Sequence, residues 1–223
     1  MRGEERTRTG RLYGLDILKG IKFTNDFYQI PIMDKSLFIP EELIAFNKAL
    51  TIKREVKGAF HCFLDDYQFE RLWRDPQRYI NPLKRAEAIL SPDFSLYRDM
   101  SNSLQIYNVY RSRLIGSYYQ KQGLEVIPTI GWSLPDSYDF CFLGVPKGSV
   151  IAISTVGIKR SHYAKALFIA GYEEMIKRLE PSSVLVYGGA IDYDLKGSNI
   201  IYYPNDNSKR WKEEAKENAE ISN

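Results

Sequence analysis

SVIAISTVGIKRSHYAKALFIAGYEEMIKRLEPSSVLVYGG, residues 149–189, decides the fold. Its two ends, SVIAIST (149–155) and SVLVYGG (183–189), are nearly all-apolar, β-branched runs of strand length. Between them Ala164, Leu167, Phe168, Gly171, Met175 and Leu179 recur at helical spacing. Ser161 stands where an N-cap belongs, and Glu180-Pro181 stops the pattern. Two buried strands joined by a helix-sized crossover form a parallel unit.

The same alternation runs upstream. GAFHCFL (58–64) reads as a strand, followed through Asp65-Asp66 by a short helix, YQFERLWRD, closed by Pro76. AEAIL (86–90) is the next strand and ends at Ser91-Pro92-Asp93. The longest helix runs from Asn102 to Gln122, with Ile106, Val109, Tyr110 and Leu114 on one stripe and Gly123 as its stop. LEVIPTI (124–130) is a further strand, whereas YDFCFLG (138–144) fits a strand or a short helix equally. In the irregular stretch before residue 58, Pro40, Glu41 and Glu42 mark a helix start, with Leu43, Ile44, Phe46, Ala49 and Leu50 as its apolar face. The expected fold is α/β: a mostly parallel sheet with helical crossovers, an irregular or incomplete (βα) barrel, with an open doubly wound sheet as the alternative. No G-x-G-x-x-G follows the first strand, which argues against a dinucleotide-binding version. The expected organisation is a solvated extension over 1–11, a wrapping arm and helix over 12–57, an α/β core over 58–208 and a charged extension over 209–223, a frayed helix anchored by Trp211.

Composition removes several function classes. The 223 residues are 44% hydrophobic and 26% charged, enough apolar material for a sizeable core. A net charge of +3 is too mild to demand a polyanionic partner. No apolar run reaches membrane-spanning length, and the charged first dozen residues lack a signal peptide's apolar segment, so a cytoplasmic chain without membrane contact is expected. A structural zinc would need Cys62, Cys141, His61 and His162 to converge from separate segments without metal-binding spacing, so the two thiols read as buried hydrophobes. His61 and Cys62 are strand neighbours pointing to opposite faces and form no dyad. Serine-nucleophile catalysis lacks a G-x-S-x-G elbow, and nucleic-acid stacking lacks any RNP-like motif despite 16 tyrosines.

In a parallel sheet, ligands bind at the carboxyl ends of the strands. Those ends collect Asp65 and Asp66, then Ser91 and Asp93, then Trp132 and Ser133, then Ser154, Thr155 and Gly157, then Tyr187, Gly188 and Gly189. The opposite ends offer mostly Lys57, Lys84, Glu125 and Lys147. Bland readings stand beside the functional ones. Asp65 and Asp66 fit helix N-caps, Asp93 a turn, Trp132 core packing, the glycines a turn, His61 a core histidine, and Arg111 and Arg113 a solvated helix face. The functional reading makes Asp93, Asp65 and Asp66 the catalytic carboxylates, suited to acid/base work, glycosyl transfer or holding Mg²⁺, the cofactor such a set would take. Arg98, Asp99, Ser91, Trp132, Ser133, Ser154, Thr155, Tyr187 and Gly188 are the ligand-binding candidates, Arg98 as an anion clamp. Ser154-Thr155-Val156-Gly157 running to the helix at Ser161, flanked by Lys159 and Arg160, is a weak phosphate-site signal without P-loop spacing.

At LDDYQFERLW (64–73), ILSPDFSLYRDM (89–100), QIYNVYRSR (105–113) and DFCFLGVPKGSVIAIST (139–155), the chain resembles the family named domain of unknown function 4417, whose members occur in bacteria, phages and other mobile elements. The resemblance covers roughly residues 40–190 and implies a mobile-element context, without an activity, substrate or catalytic residue to carry over. Asp65, Asp66, Ser91, Asp93, Arg98 and Asp99 lie within these runs; Trp132, Ser133 and the stretch 190–208 do not. The leading expectation is a polar, carboxylate-lined pocket that binds or processes a small polar ligand: a nucleotide, nucleoside or sugar. The alternatives are a non-enzymatic DNA-binding accessory of mobile-element replication, gripping through the Arg-rich head, Arg111, Arg113, Lys159 and Arg160, or an interaction protein that blocks a host factor.

Overall fold

The computed structural model describes residues 7–158 and 161–205. The expectations for Lys159, Arg160 and the 209–223 extension, Trp211 included, lie outside the described residues. The elements are α1 (Thr7–Leu12), β1 (Leu43–Ala45), β2 (Val56–His61), α2 (Asp66–Arg74), α3 (Pro76–Leu83), β3 (Ala86–Leu90), α4 (Asn102–Lys121), β4 (Val126–Ile127), β5 (Val150–Ser154), α5 (His162–Leu179), β6 (Ser183–Tyr187) and β7 (Asn199–Tyr203).

All ladders are parallel, in the order β1-β2-β3-β4 and β5-β6-β7. Pro128, which has no N–H to give, interrupts the strand expected over 124–130. The sheet nevertheless continues across it, because Ala152 N–H donates to the Pro128 carbonyl (2.9 Å) and Ile130 N–H to the Ala152 carbonyl (2.8 Å). Spatial order therefore follows chain order, with no reversal to define the switch point of a doubly wound sheet.

Burial explains the winding. Alternate residues Leu43, Ala59, Ala88, Ile127, Ala152 and Leu185 pack with Tyr187 and Tyr203 in one cluster, one side chain or more from each described strand. Their neighbours Phe60, Ile89 and Val126 face α2, α3 and α4, and Ile151, Ile153, Val184 and Val186 face α5. One sheet face is thus covered by helices and the other by the sheet itself. His61 and Phe63, at the end of β2, pack on Tyr187 at the end of β6 with ring centroids 4.4 and 5.0 Å apart. Those strands stand four places apart, about 19 Å in a flat sheet, so the sheet is strongly curled. The ladder stays open, since no pairing joins β7 to β1 among the described residues. Tyr203 hydroxyl donates to the Pro40 carbonyl (2.6 Å) across that seam.

Three local expectations change. The helix expected from Pro40 is strand β1 followed by a 3-10 turn at Phe46–Lys48. Pairing with β2 and burial of Leu43 inside the curl override the helical spacing. Gly58, at φ 130°, permits this approach, since any Cβ there would stand 2.6 Å from the Glu42 carbonyl oxygen. YDFCFLG is neither strand nor α-helix: a 3-10 turn at Pro135–Asp139 runs into turns that bury Phe140, Cys141 and Phe142 together. Strand β7 arises from NIIYY (199–203), beyond the last strand expected from the sequence. Within the expected extension 1–11, residues 7–11 fall in α1, and the Leu12 carbonyl accepts from Trp73 Nε1 (3.2 Å). Among the described residues no helix is long and apolar enough to cross a membrane.

Candidate functional site

The curled sheet is plugged on its axis by His61, Phe63 and Tyr187. The open space at the strand ends is displaced outward, between the ends of β3, β4 and β5 and the N-terminal half of α5. There a cavity of about 260 Å³ is lined by Asp93, Tyr97 and Arg98 from the loop after β3 and by Gly131, Trp132 and Ser133 after β4. Ile153 and Ser154 of β5 and Ala164, Leu167 and Phe168 of α5 complete much of the wall.

The loop carrying Asp93 is pinned from three sides. Asp66 accepts from Ser95 N–H (3.2 Å) and from its hydroxyl (2.7 Å). From α4, Asn108 Nδ2 donates to the Ser95 carbonyl (2.7 Å), and Gln105 Nε2 to the carbonyls of Tyr97 (3.3 Å) and Met100 (3.0 Å). Arg111 stacks on Phe94, its guanidinium carbon 3.8 Å from the ring centre, and is itself held by Glu70 and Asn108. Below the loop, Ser91 hydroxyl accepts from Thr129 N–H (2.9 Å), tying the end of β3 to the end of β4.

Asp93 is partly buried, its Oδ1 above Gly131, where an added Cβ would stand 3.7 Å away. Burial first, and the Asp66 carboxylate second, push its pKa up to about 7, while Arg113 pulls it back. Burial likewise lowers Arg113 to about 10, although its guanidinium donates to the carbonyls of Thr129 (2.8 Å), Cys141 (3.0 Å) and Leu143 (3.2 Å). On the opposite wall Trp132 packs with its ring centre 5.2 Å from that of Phe168 and stands against Gly171, where a Cβ would overlap the indole. Ser133 is 5% exposed, and its hydroxyl has no hydrogen-bond partner among the described residues. At the mouth, Arg98 lies over Tyr163, 5.1 Å from the ring centre.

The structure brings together five of the sequence candidates on this cavity: Asp93, Arg98, Trp132, Ser133 and Ser154. Asp66 and Ser91 stand behind it as supports, and neither Asp65 nor Asp66 caps α2 through its side chain. Asp65 and Asp99 are exposed to solvent away from this wall. Thr155 hydroxyl donates to the Gly189 carbonyl (2.8 Å), and its N–H to Tyr187 (2.8 Å); with Gly188 these residues close the β5–β6 junction instead of the cavity. Among the described residues no group of three or more His, Cys, Asp or Glu side chains is gathered as a metal site. Arg111 and Arg113, expected on a solvated face, are buried, so they offer no cations to a nucleic acid. Their burial follows from α4 being wrapped by the sheet, α2 and the 135–145 turns. Gln105 and Asn108 are not among the sequence candidates, and the sequence expectation for Arg111 is a solvated face; their i, i+3, i+6 spacing puts all three on one face of α4.

Fold and cavity together define a parallel α/β protein with a hollow of about 260 Å³ at the carboxyl ends of its central strands. Two curated relatives, each named Gene 1 protein, resemble the chain: one from Mycobacterium phage D29 is 45% identical over 165 residues, and one from Mycobacterium phage L5 is 42% identical over 191. The matches cover 72% of this chain and 60% of the D29 protein, and 82% of both chains for L5. The chain thus spans less than two thirds of the D29 relative's length. No solved structure matches. The chain belongs to the family described as Domain of unknown function (DUF4417), whose model matches residues 23–204.

Proposed function

We propose that this protein binds a small polar ligand, of nucleotide, nucleoside or sugar type, in the cavity between the ends of β3–β5 and α5, with Asp93 as the reading carboxyl. The observation that carries this is the support given to Asp93: a carboxyl with a pKa near 7, on a loop fixed by Asp66, Gln105, Asn108 and Arg111, facing a hollow. Fixing the loop that carries one side chain this thoroughly fits a preorganised first contact. A carboxyl that exchanges its proton near neutrality also has the property of a general acid or base. Paired-carboxylate glycosyl chemistry draws less support, because Asp66 is spent on Ser95 and Asp65 is exposed.

The test is a thermal-shift screen of the whole chain against nucleotides, nucleosides, sugar phosphates and divalent ions. A ligand at 100 times its Kd adds about 2.7 kcal/mol, which is about 5–10 °C for a domain of this size. We expect at least one stabilising compound whose effect disappears in Asp93→Ala. A compound that stabilises both proteins equally would place the site elsewhere.

A further inference from the structure

The cavity holds two opposite charges that do not meet. Among the described residues lining it, Asp93 is the acid and Arg98 the base. No ion pair joins them, and Arg98 pairs with no other carboxylate among the described residues. The charges that act on Asp93 are those of Asp66 and Arg113. Asp93 and Arg98 also sit at different depths. Asp93 is partly buried; its carboxyl accepts no hydrogen bond among the described residues and, unlike the Ser133 hydroxyl, is not sealed from solvent. Arg98 is exposed at the mouth, where Gln105 Nε2 fixes the backbone on both sides of it through the carbonyls of Tyr97 and Met100.

The donors of Arg98 are unspent. Its guanidinium lies over the Tyr163 ring and donates no hydrogen bond among the described residues. A ring contact satisfies no oxygen acceptor, so the five N–H groups of the planar fork stay open to a phosphate. Tyr97, 60% exposed and lining the same cavity, brings a second donor beside it. An anion at the mouth would meet a cation there and still keep part of its water, escaping the cost of full burial. The Asp93 end repels a phosphate whenever its carboxyl is ionised, and it suits a hydroxyl or amino group instead.

Resting on the reading of this cavity as a ligand site, we infer that its ligand carries a phosphate held at the mouth by Arg98, with a hydroxyl- or amino-bearing end turned inward to Asp93. Among the ligand classes proposed above, this selects nucleotides and sugar phosphates over nucleosides and free sugars. It also fixes the direction in which either enters.

The test is calorimetry on the whole chain with matched pairs: adenosine and its 5′-monophosphate, uridine and its 5′-monophosphate, ribose and ribose 5-phosphate, glucose and glucose 6-phosphate. In at least one pair the phosphorylated member should bind about ten-fold or more tightly than its partner, with the advantage shrinking as salt is raised. Arg98→Gln should remove most of that advantage with little effect on thermal stability, because this exposed side chain has no hydrogen bond or ion pair to lose. Asp93→Ala should weaken the same compound about ten-fold while its salt dependence stays. Neutral compounds that bind as tightly as their phosphorylated partners overturn the phosphate and leave the cavity as a ligand site. A phosphate advantage that survives Arg98→Gln while Asp93→Ala abolishes binding overturns the clamp alone. Binding that ignores both variants, or silence from every compound, overturns the cavity and the phosphate together.

Discussion

Asp93 owes its raised pKa to geometry that the protein maintains at a cost in stability. An unfolded aspartate titrates near 3.9, whereas burial and the Asp66 charge hold the folded carboxyl at about 7. Between those values the folded chain keeps a proton that the unfolded chain has released. The stability that Asp93 contributes is therefore complete below about pH 4 and is lost as pH rises through 7. Asp93→Asn carries no charge at any pH and should lose that slope. Urea melts should show the variant exceeding the parent at pH 8 by on the order of 2 kcal/mol, allowing for partial solvent screening, with the gap closing toward pH 5. Parallel pH profiles for the two proteins would assign the titration to another group. Arg113 is the counterweight: four neighbouring groups, three of them carbonyls, keep the guanidinium beside this carboxyl. Its position was hidden in the sequence, because an arginine inside a long helix carries no mark of burial. What decides it is tertiary: the turn through Cys141 and Leu143 closes over that stretch of α4.

At the scale of elements, α5 does two tasks through one residue that lacks a side chain. Gly171 lets the Trp132 indole approach the helix backbone, which positions one of the residues lining the cavity. Gly171→Ala raises helix propensity by roughly 1 kcal/mol, but it drives a Cβ into the indole, and such overpacking costs about 1–3 kcal/mol. We expect a net loss of about 1 kcal/mol, and tryptophan fluorescence altered by displacement of the ring. A variant more stable than the parent, with unchanged fluorescence, would show that the ring moves aside freely. The elements legible in the sequence are those whose periodicity and burial agree, β2, β3, β5, β6, α2 and α5, together with α4, whose length and caps mark it although it is buried nearly all round. β1 has three residues on helical spacing, and β7 is a half-exposed edge of mixed Asn, Ile and Tyr, so neither shows a strand's pattern. Of the candidate site, position at a strand end marks Asp93, Trp132, Ser133 and Ser154, and the loop after Asp93 adds Arg98, but strand ends also include Thr155, Tyr187 and Gly188. A list of strand ends assumes a single rim. Here the aromatic plug of His61, Phe63 and Tyr187 divides that rim and leaves the β5–β6 junction closed.

Over the whole molecule, chain-order pairing without reversal makes the sheet curl, and the curl fixes which residues meet. One face needs no helical cover because Leu43, Ala59, Ala88, Ala152 and Leu185 cover one another, with small alanines at several crowded inward positions. The open seam between β1 and β7 is the place where this arrangement is least redundant. There the Tyr203 hydroxyl and the Pro40 carbonyl form a buried bond in place of a ladder. Tyr203→Phe keeps the ring in the inner cluster and removes the donor, leaving a carbonyl unsatisfied at a cost of about 1–2 kcal/mol, or a melting temperature lower by about 2–8 °C. The location of the loss matters more than its size. If the bond holds the seam, hydrogen exchange should accelerate in β1 and β7, while the β5–β6 ladder, five matched pairs deep, stays protected. Because Asp93 and α5 lie on the far side of the curl, ligand-dependent stabilisation should survive in Tyr203→Phe. Exchange that accelerates evenly through all the strands would mean that the curl is held by its inner packing alone.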